Sequence, residues 1–305
     1  MFWDFILNLS LLWGLVSVPI ATPYAAIDLV DDSVNYRQYV SQSDQVPTKI
    51  VNDSLGVKLS ADTALVFDWD TKAILWQHNS EQQRPIASLT KLMTALVWLD
   101  HNPGWQTQVT ISTDDYREGG TFYLFTGEVV TVSNLFHSAL IASDNNAAAA
   151  LVKSSGLSES EFVIAMNNKA KELKMFHTYF IEPTGLDSRN VATANDIARL
   201  INVAYENEDI RNVVSRSNYS YNIINTGRLN YFTTTNLLLS SYLKVLGGKT
   251  GYSDEAGGCL ALQVQGKDQQ KIGIIILGSA DHYTRFDDAK ALSQWVFENF
   301  TWQND

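Results

Sequence analysis

The sequence predicts an α+β fold: an antiparallel sheet made from both chain ends, flanked by helices, with an all-helical subdomain inserted between its halves. Three observations predict it. Strand-like runs around a turn signal come first, in "TALVFDWDTKAILWQHN". Helical patterns then occupy the middle of the chain, about residues 100–220. Three more apolar strand-like runs and one amphipathic helix follow.

Each element has a local reason. Asp70-Thr71-Lys72 reads as the turn of a hairpin between two short strands. A helix starts near Ser88 and carries Leu92, Ala95, Leu96 and Leu99 on a core face. "GEVVTVSNLFHSALIASDNNAAAALVKSSG" reads as two helices broken at Ser143-Asp144-Asn145. Ser158 and Glu161 form a capping box ahead of a stripe of Phe162, Met166, Ala170 and Leu173, which is packing. "EPTGLDSRN" is a turn, and Thr193 caps the helix of "TANDIARLINVAYEN". After Gly247-Gly248, "KTGYS", "GCLALQVQG" and "KIGIIILGS" read as strands. The last helix, "RFDDAKALSQWVFENF", turns Phe286, Ala289, Leu292 and Val296 inward.

Composition narrows the function. The 305 residues are 45% hydrophobic and 18% charged, as in a folded globular chain. A net charge of −11 with no basic run argues against nucleic acid as a partner. The one cysteine, Cys259, excludes an internal disulfide and reads as a small core residue. The apolar run Phe5–Ile20, followed by small residues at 21–26, reads as a signal peptide or an N-terminal membrane anchor over 1–26, although Asp4 precedes it and no Lys or Arg does. Either way the remaining chain is expected to be exported, to the periplasm or cell envelope. Residues 27–60 are polar and weakly patterned and read as a linker, with the catalytic domain over 61–300.

Three short motifs carry the chemistry. "SLTK" places Ser88 and Lys91 three apart, so that on a helix the amine can reach the hydroxyl. The alternative is a plain helix N-cap with a solvated lysine. "SDN" puts Ser143 and Asn145 at a helix break, where they could face a cleft or merely cap the next helix. "KTG" gives Lys249, Thr250 and Gly251 at the head of a strand. Lys249 could be an ordinary strand-edge lysine, and Gly251 could serve a bulge. The five histidines have no metal-ligand spacing, and no Gly-x-Ser-x-Gly elbow occurs. No metal or other cofactor is implied.

S-x-x-K, S-D-N and K-T-G together mark penicillin-binding proteins and class A β-lactamases. From about Thr63 to Phe300 the chain resembles the serine-type D-alanyl-D-alanine carboxypeptidases and endopeptidases, also through "RPIAS", "EPTGLDSRNVATANDIARL" and "KTGYSDEAGGC". The resemblance implies a β-lactamase/D,D-peptidase-like fold, a peptidoglycan stem peptide as substrate, an acyl-enzyme, and covalent inhibition by β-lactams. It implies that Ser88 attacks, Lys91 takes its proton and Ser143 relays a proton to the leaving amine. It also implies that Asn145 holds the substrate amide, Lys249 supplies positive charge and Thr250 binds the terminal carboxylate. The backbone N–H groups of Ser88 and Tyr252 are implied as the oxyanion hole. Independently, a lysine base needs its pKa of about 10.4 lowered. Burial and a second cation, here Lys249, are the expected causes.

Two other functions share parts of this pattern. A class A β-lactamase uses a Glu-x-x-Leu-Asn segment; Glu182 lies in that region, but in the pattern "EPTGLD". A silent binding module would be marked by a lost serine or lysine, and both are kept. Within the peptidases, "TTTNLLL" lacks the arginine that carboxypeptidase relatives place before Asn236, and the chain ends soon after Gly251. Both features resemble the endopeptidase branch.

Overall fold

The computed structural model describes residues 46–302, apart from 52 and 55; the 1–26 signal or anchor reading therefore lies outside the described residues. Five strands form the main sheet: β1 (Thr63–Asp68), β2 (Ile74–His78), β3 (Lys244–Ser253), β4 (Gly257–Gln265) and β5 (Lys271–Ser279). Their order is β3-β4-β5-β1-β2, with every neighbouring pair antiparallel. Both chain ends thus contribute, as the pattern predicts. Asp68 shapes the β1–β2 turn by accepting from the Thr71 N–H at 2.8 Å and the Thr71 hydroxyl at 2.7 Å.

Strand side chains alternate between two cores, because successive residues of a strand face opposite ways. Ala64, Val66, Leu260, Leu262, Ile274 and Ile276 pack with Phe286, Ala289, Leu292 and Val296 of the last helix (Thr284–Asn299). Leu65, Phe67, Ala261, Ile275 and Leu277 face the second core, which holds the other helices. Burial on both faces explains why "KIGIIILGS" is a continuous apolar run rather than an alternating one.

Between the sheet halves lie α1 (Thr90–Leu99), α2 (Val132–Ile141), α3 (Asn145–Ser154), α4 (Glu159–Glu172), α5 (Ala194–Glu206) and α6 (Glu208–Val214); the last helix, Thr284–Asn299, is α7. The Ser158–Glu161 capping box and the Thr193 cap are both present. The central segment also carries short antiparallel pairs, Gln108–Thr110 with Val129–Thr131 and Asn218–Asn222 with Leu229–Thr233. Among the described residues no helix is long and apolar enough to cross a membrane.

Two expected boundaries move. The KTG strand begins at Lys244, ahead of Gly247-Gly248, and absorbs the glycines with a register shift between Val245 and Gly247. KTG therefore sits in the second half of β3, not at its head. The segment read as a linker over 27–60 is tied down where it is described. Thr48–Lys49 pairs with Phe300–Thr301, and the Asp288 carboxylate of α7 accepts from the Ser60 N–H, the Ser60 hydroxyl and the Ala61 N–H. Strand pairing and hydrogen bonds to a helix side chain leave no hydrophobic periodicity to read, and Val57 and Leu59, which pack on the core, are too few to make one.

Candidate active site

Ser88 is not a helix cap. It lies in a single 3₁₀ turn, Ala87–Leu89, that runs straight into α1, and no side chain caps either element. The turn is bent by Ala87, whose φ of +44° is left-handed. Backbone strain of this kind persists only where surrounding structure holds it. Two glycines hold it here. A Cβ on Gly251 of β3 would lie 2.9 Å from the Ile86 carbonyl oxygen and 3.0 Å from Ser88 N. A Cβ on Gly185, in the "EPTGLD" turn, would lie 2.0 Å from the Ala87 carbonyl oxygen. Gly251 serves this close approach rather than a bulge; it pairs regularly with Cys259.

Gly185 also has φ +86°, a conformation costly for any residue with a Cβ. Gly185→Ala is expected to destabilise the fold by about 3 kcal/mol or more. The check is a lower denaturant midpoint at unchanged slope, together with slower acylation of the protein that remains folded.

Lys91 follows one turn into α1 and is 1% exposed. Its Nζ lies 2.9 Å from Ser88 Oγ, 2.6 Å from Asn145 Oδ1 and 2.7 Å from the Thr184 carbonyl oxygen. The last two partners can only accept. A neutral amine has two N–H bonds, so these acceptors use both and leave the lone pair for the Ser88 hydroxyl.

The break between α2 and α3 supplies the second motif. Asp144 is the N-cap of α3, accepting from the Asn146 and Ala147 N–H groups at 2.9 and 3.1 Å. Neither Ser143 nor Asn145 is therefore needed as a cap, and both face the cluster. Ser143 has φ +61° and its Oγ accepts from Lys249 Nζ at 2.8 Å. Asn145 donates through Nδ2 to the Gly119 carbonyl at 2.9 Å. Lys249 belongs to the edge strand of the sheet, yet it is 1% exposed and donates also to the Thr250 carbonyl. Thr250 Oγ1 is hydrogen-bonded to Thr235 Oγ1 at 2.5 Å. Tyr252 is exposed, with its ring edge-on to His282. Ser88, Lys91 and Asn145 thus meet in one hydrogen-bonded cluster, Ser143 meets Lys249, and Gly251 packs against the Ser88 turn; Thr250 and Tyr252 follow on the same strand, with their side chains on Thr235 and beside His282.

Burial pushes the Lys91 amine down to about 8; Glu182 and Asp144 pull it upward but do not reverse the shift. Lys249 is lowered further, first by burial, then by repulsion from Lys91 and Arg285. Of the two expected causes of the Lys91 shift, burial is present, whereas Lys249 is not among the groups that lower Lys91. Burial leads at both amines, and the repulsion registers on Lys249.

Several participants carry no readable signal. Thr235 is the last of three consecutive threonines, and nothing in that run sets it apart. Gly119 and Thr184 act through backbone carbonyls, which no side-chain motif reveals. Arg285 of α7 is buried and donates to the Gly251 carbonyl at 2.5 Å. The Gly185 role was latent in the "EPTG" turn. Among the described residues no group of three or more His, Cys, Asp or Glu side chains is placed to hold a metal ion.

Residues 48–280 match the family of D-alanyl-D-alanine carboxypeptidases, peptidase S11. The chain is 33% identical over 250 residues to a D-alanyl-D-alanine endopeptidase of Pseudomonas aeruginosa, covering 78% of each chain. It is 30% identical over 251 residues to an Escherichia coli D-alanyl-D-alanine endopeptidase, again covering 78% of each. The crystal structure of the Streptomyces K15 DD-transpeptidase superimposes with a TM-score of 0.73 at 25% identity, covering 80% of this chain and 100% of that one. Penicillin-binding protein D2 of Listeria monocytogenes, in its ampicillin-bound form, gives a TM-score of 0.70 at 28% identity, with 80% and 100% covered. The chain belongs to the D-alanyl-D-alanine carboxypeptidase family and is a serine-type D-Ala-D-Ala peptidase.

Proposed function

We propose that the protein is an exported D-Ala-D-Ala endopeptidase that cuts peptidoglycan cross-links through an acyl-enzyme on Ser88. The observation that carries the mechanism is the 2.9 Å approach of Lys91 Nζ to Ser88 Oγ, with both other partners of the amine being acceptors. Lys91 takes the hydroxyl proton as Ser88 Oγ attacks the D-Ala carbonyl. The Ser88 and Tyr252 N–H groups stabilise the oxyanion, each such donor lowering a barrier by about 3 kcal/mol. The proton taken by Lys91 is handed on through the Ser143 hydroxyl to the leaving amine, with Lys249 Nζ, 2.8 Å from Ser143 Oγ, holding that hydroxyl in place. The bond to the leaving group breaks, and water later releases the acyl group. Asn145 keeps its oxygen on Lys91 and one N–H on the Gly119 carbonyl, and offers its second N–H to the substrate amide. Thr250 and Gly251 line the strand edge along which the stem peptide lies, with the Thr250 hydroxyl toward its carboxylate end.

The endopeptidase preference is supported by the names of the Pseudomonas and Escherichia relatives and by the lack of an arginine before Asn236. β-Lactams mimic the substrate, and ampicillin is bound by the Listeria homologue; inhibition of this chain by penicillins belongs to the same proposal. Export, with or without attachment through the apolar segment before residue 26, is inferred from the cell-wall substrate. The test is a pair of substrates: a pentapeptide ending in D-Ala-D-Ala and a purified cross-linked muropeptide dimer. Conversion of the dimer to monomers is expected. Release of free D-Ala alone would reject the endopeptidase reading.

A further inference from the structure

We infer that Glu182 is a positioning residue for the Ser88–Lys91 pair, acting through the Thr184 carbonyl. The inference rests on the proposed role of Lys91 as base. Glu182 opens the "EPTGLD" turn, and its carboxylate gathers the turn's donors. Oε2 accepts from the Thr184 N–H at 2.7 Å and the Thr184 hydroxyl at 2.6 Å. Oε1 accepts from the Gly185 N–H at 2.5 Å, Asn190 Nδ2 at 2.8 Å and, more distantly, the Asp187 N–H at 3.5 Å. Every partner donates. An ionised carboxylate satisfies such a set; an amide, with one accepting oxygen and one donating nitrogen, does not.

The turn so folded is fastened to α1. The Pro183 carbonyl accepts from the Thr94 hydroxyl at 2.6 Å, and the next carbonyl, Thr184, accepts from Lys91 Nζ at 2.7 Å. Asn190, fully buried, donates to both the Glu182 carbonyl and its carboxylate and locks the turn from behind. Glu182 therefore aims one of the two acceptors that keep the Lys91 lone pair on Ser88. The same turn places Gly185 against Ala87, so both members of the pair depend on it.

Glu182 touches no reacting atom, because its oxygens are already occupied by the turn. Its charge still reaches Lys91. The charged groups acting on that amine are Glu182 from the turn and Asp144 from the α3 N-cap, both of which favour its protonated form; Lys249 of β3 is the neighbouring amine, itself lowered by the Lys91 charge. Removing the Glu182 charge leaves Asp144 alone in that role, so the base stays neutral to lower pH.

The experiment is the rate constant for acylation by a fluorescent penicillin, measured per reactive site across pH in the wild type, Glu182→Gln and Glu182→Asp. A rate constant per site is unaffected by the fraction of protein that is misfolded. Glu182→Gln is expected to slow acylation about tenfold or more through misplacement of the amine. Its acid limb should move about one pH unit lower. Glu182→Asp keeps the charge but not the reach, so the rate should fall while the limb stays in place; it serves also if the glutamine variant does not fold. Wild-type rate and limb in Glu182→Gln, or wild-type rate in Glu182→Asp, overturns the inference. Lys91→Met, run alongside, separates the two readings. If it acylates normally, the base assignment fails; if it is inert while Glu182→Gln behaves as wild type, only the role of Glu182 fails.

Discussion

Ser88→Ala is expected to take no penicillin label at all, while folding as the wild type does. The hydroxyl is the atom that becomes acylated, so its loss leaves no route to the covalent adduct. Structurally the substitution is mild. Ser88 is only partly buried, and Lys91 retains the Asn145 and Thr184 oxygens as partners. Alanine already precedes it in the turn, so the 3₁₀ backbone accepts the change. Stability should stay within about 0.5 kcal/mol, or rise slightly as happens when a strained site loses a polar group. Intact-mass spectrometry with a thermal melt reads both results. Persistent labelling in a folded variant would place the nucleophile elsewhere.

Lys91→Met should cost nearly as much. The side chain keeps its length and apolar stem, and the proton acceptor disappears. General-base catalysis of this kind contributes roughly 10²–10⁴-fold, which is the expected fall in acylation rate. Two acceptors, Asn145 Oδ1 and the Thr184 carbonyl, lose their donor, at about 1–3 kcal/mol each. Against this, the fold no longer has to desolvate an amine. These opposing contributions are similar in size, so the melting midpoint should move by only a few degrees. Lys91→Arg sharpens the test, because a guanidinium retains charge and donors but cannot serve as a base. An active arginine variant would show that Lys91 acts by charge alone.

Much of this was legible in the sequence, and the unread part has a physical pattern. The sheet from both chain ends followed from strand and helix periodicity, since burial imposes periods of 2 and 3.6 on side chains. Ser88, Lys91, Ser143, Asn145 and Lys249 were legible because their chemistry resides in side chains at fixed spacing. Thr184 and Gly119 were not, because they contribute carbonyl oxygens that any residue possesses. The left-handed φ of Ala87 and Ser143 was equally hidden, since neither residue type announces it. The 229–233 strand alternates between buried and exposed positions and the 218–222 strand between half-buried and exposed ones, but polar and tyrosine-rich stretches such as "NYSYN" mask that alternation. The capping reading of Ser143 and Asn145 failed on a single residue: Asp144, between them, performs that task.

The central claim is that Ser88 is activated by an amine whose burial brings its neutral form within reach near neutral pH. The measurement that tests it most directly is the rate of Ser88 acylation by penicillin as a function of pH, with the adduct located by peptide mapping. With Lys91 lowered to about 8, the neutral form is only about a tenth of the protein at pH 7 and grows as pH rises. The rate should therefore climb about tenfold per unit below pH 7 and level off above pH 8, with every adduct on Ser88. A rate constant that is flat from about pH 5 to 9, or an adduct on another residue, contradicts the account.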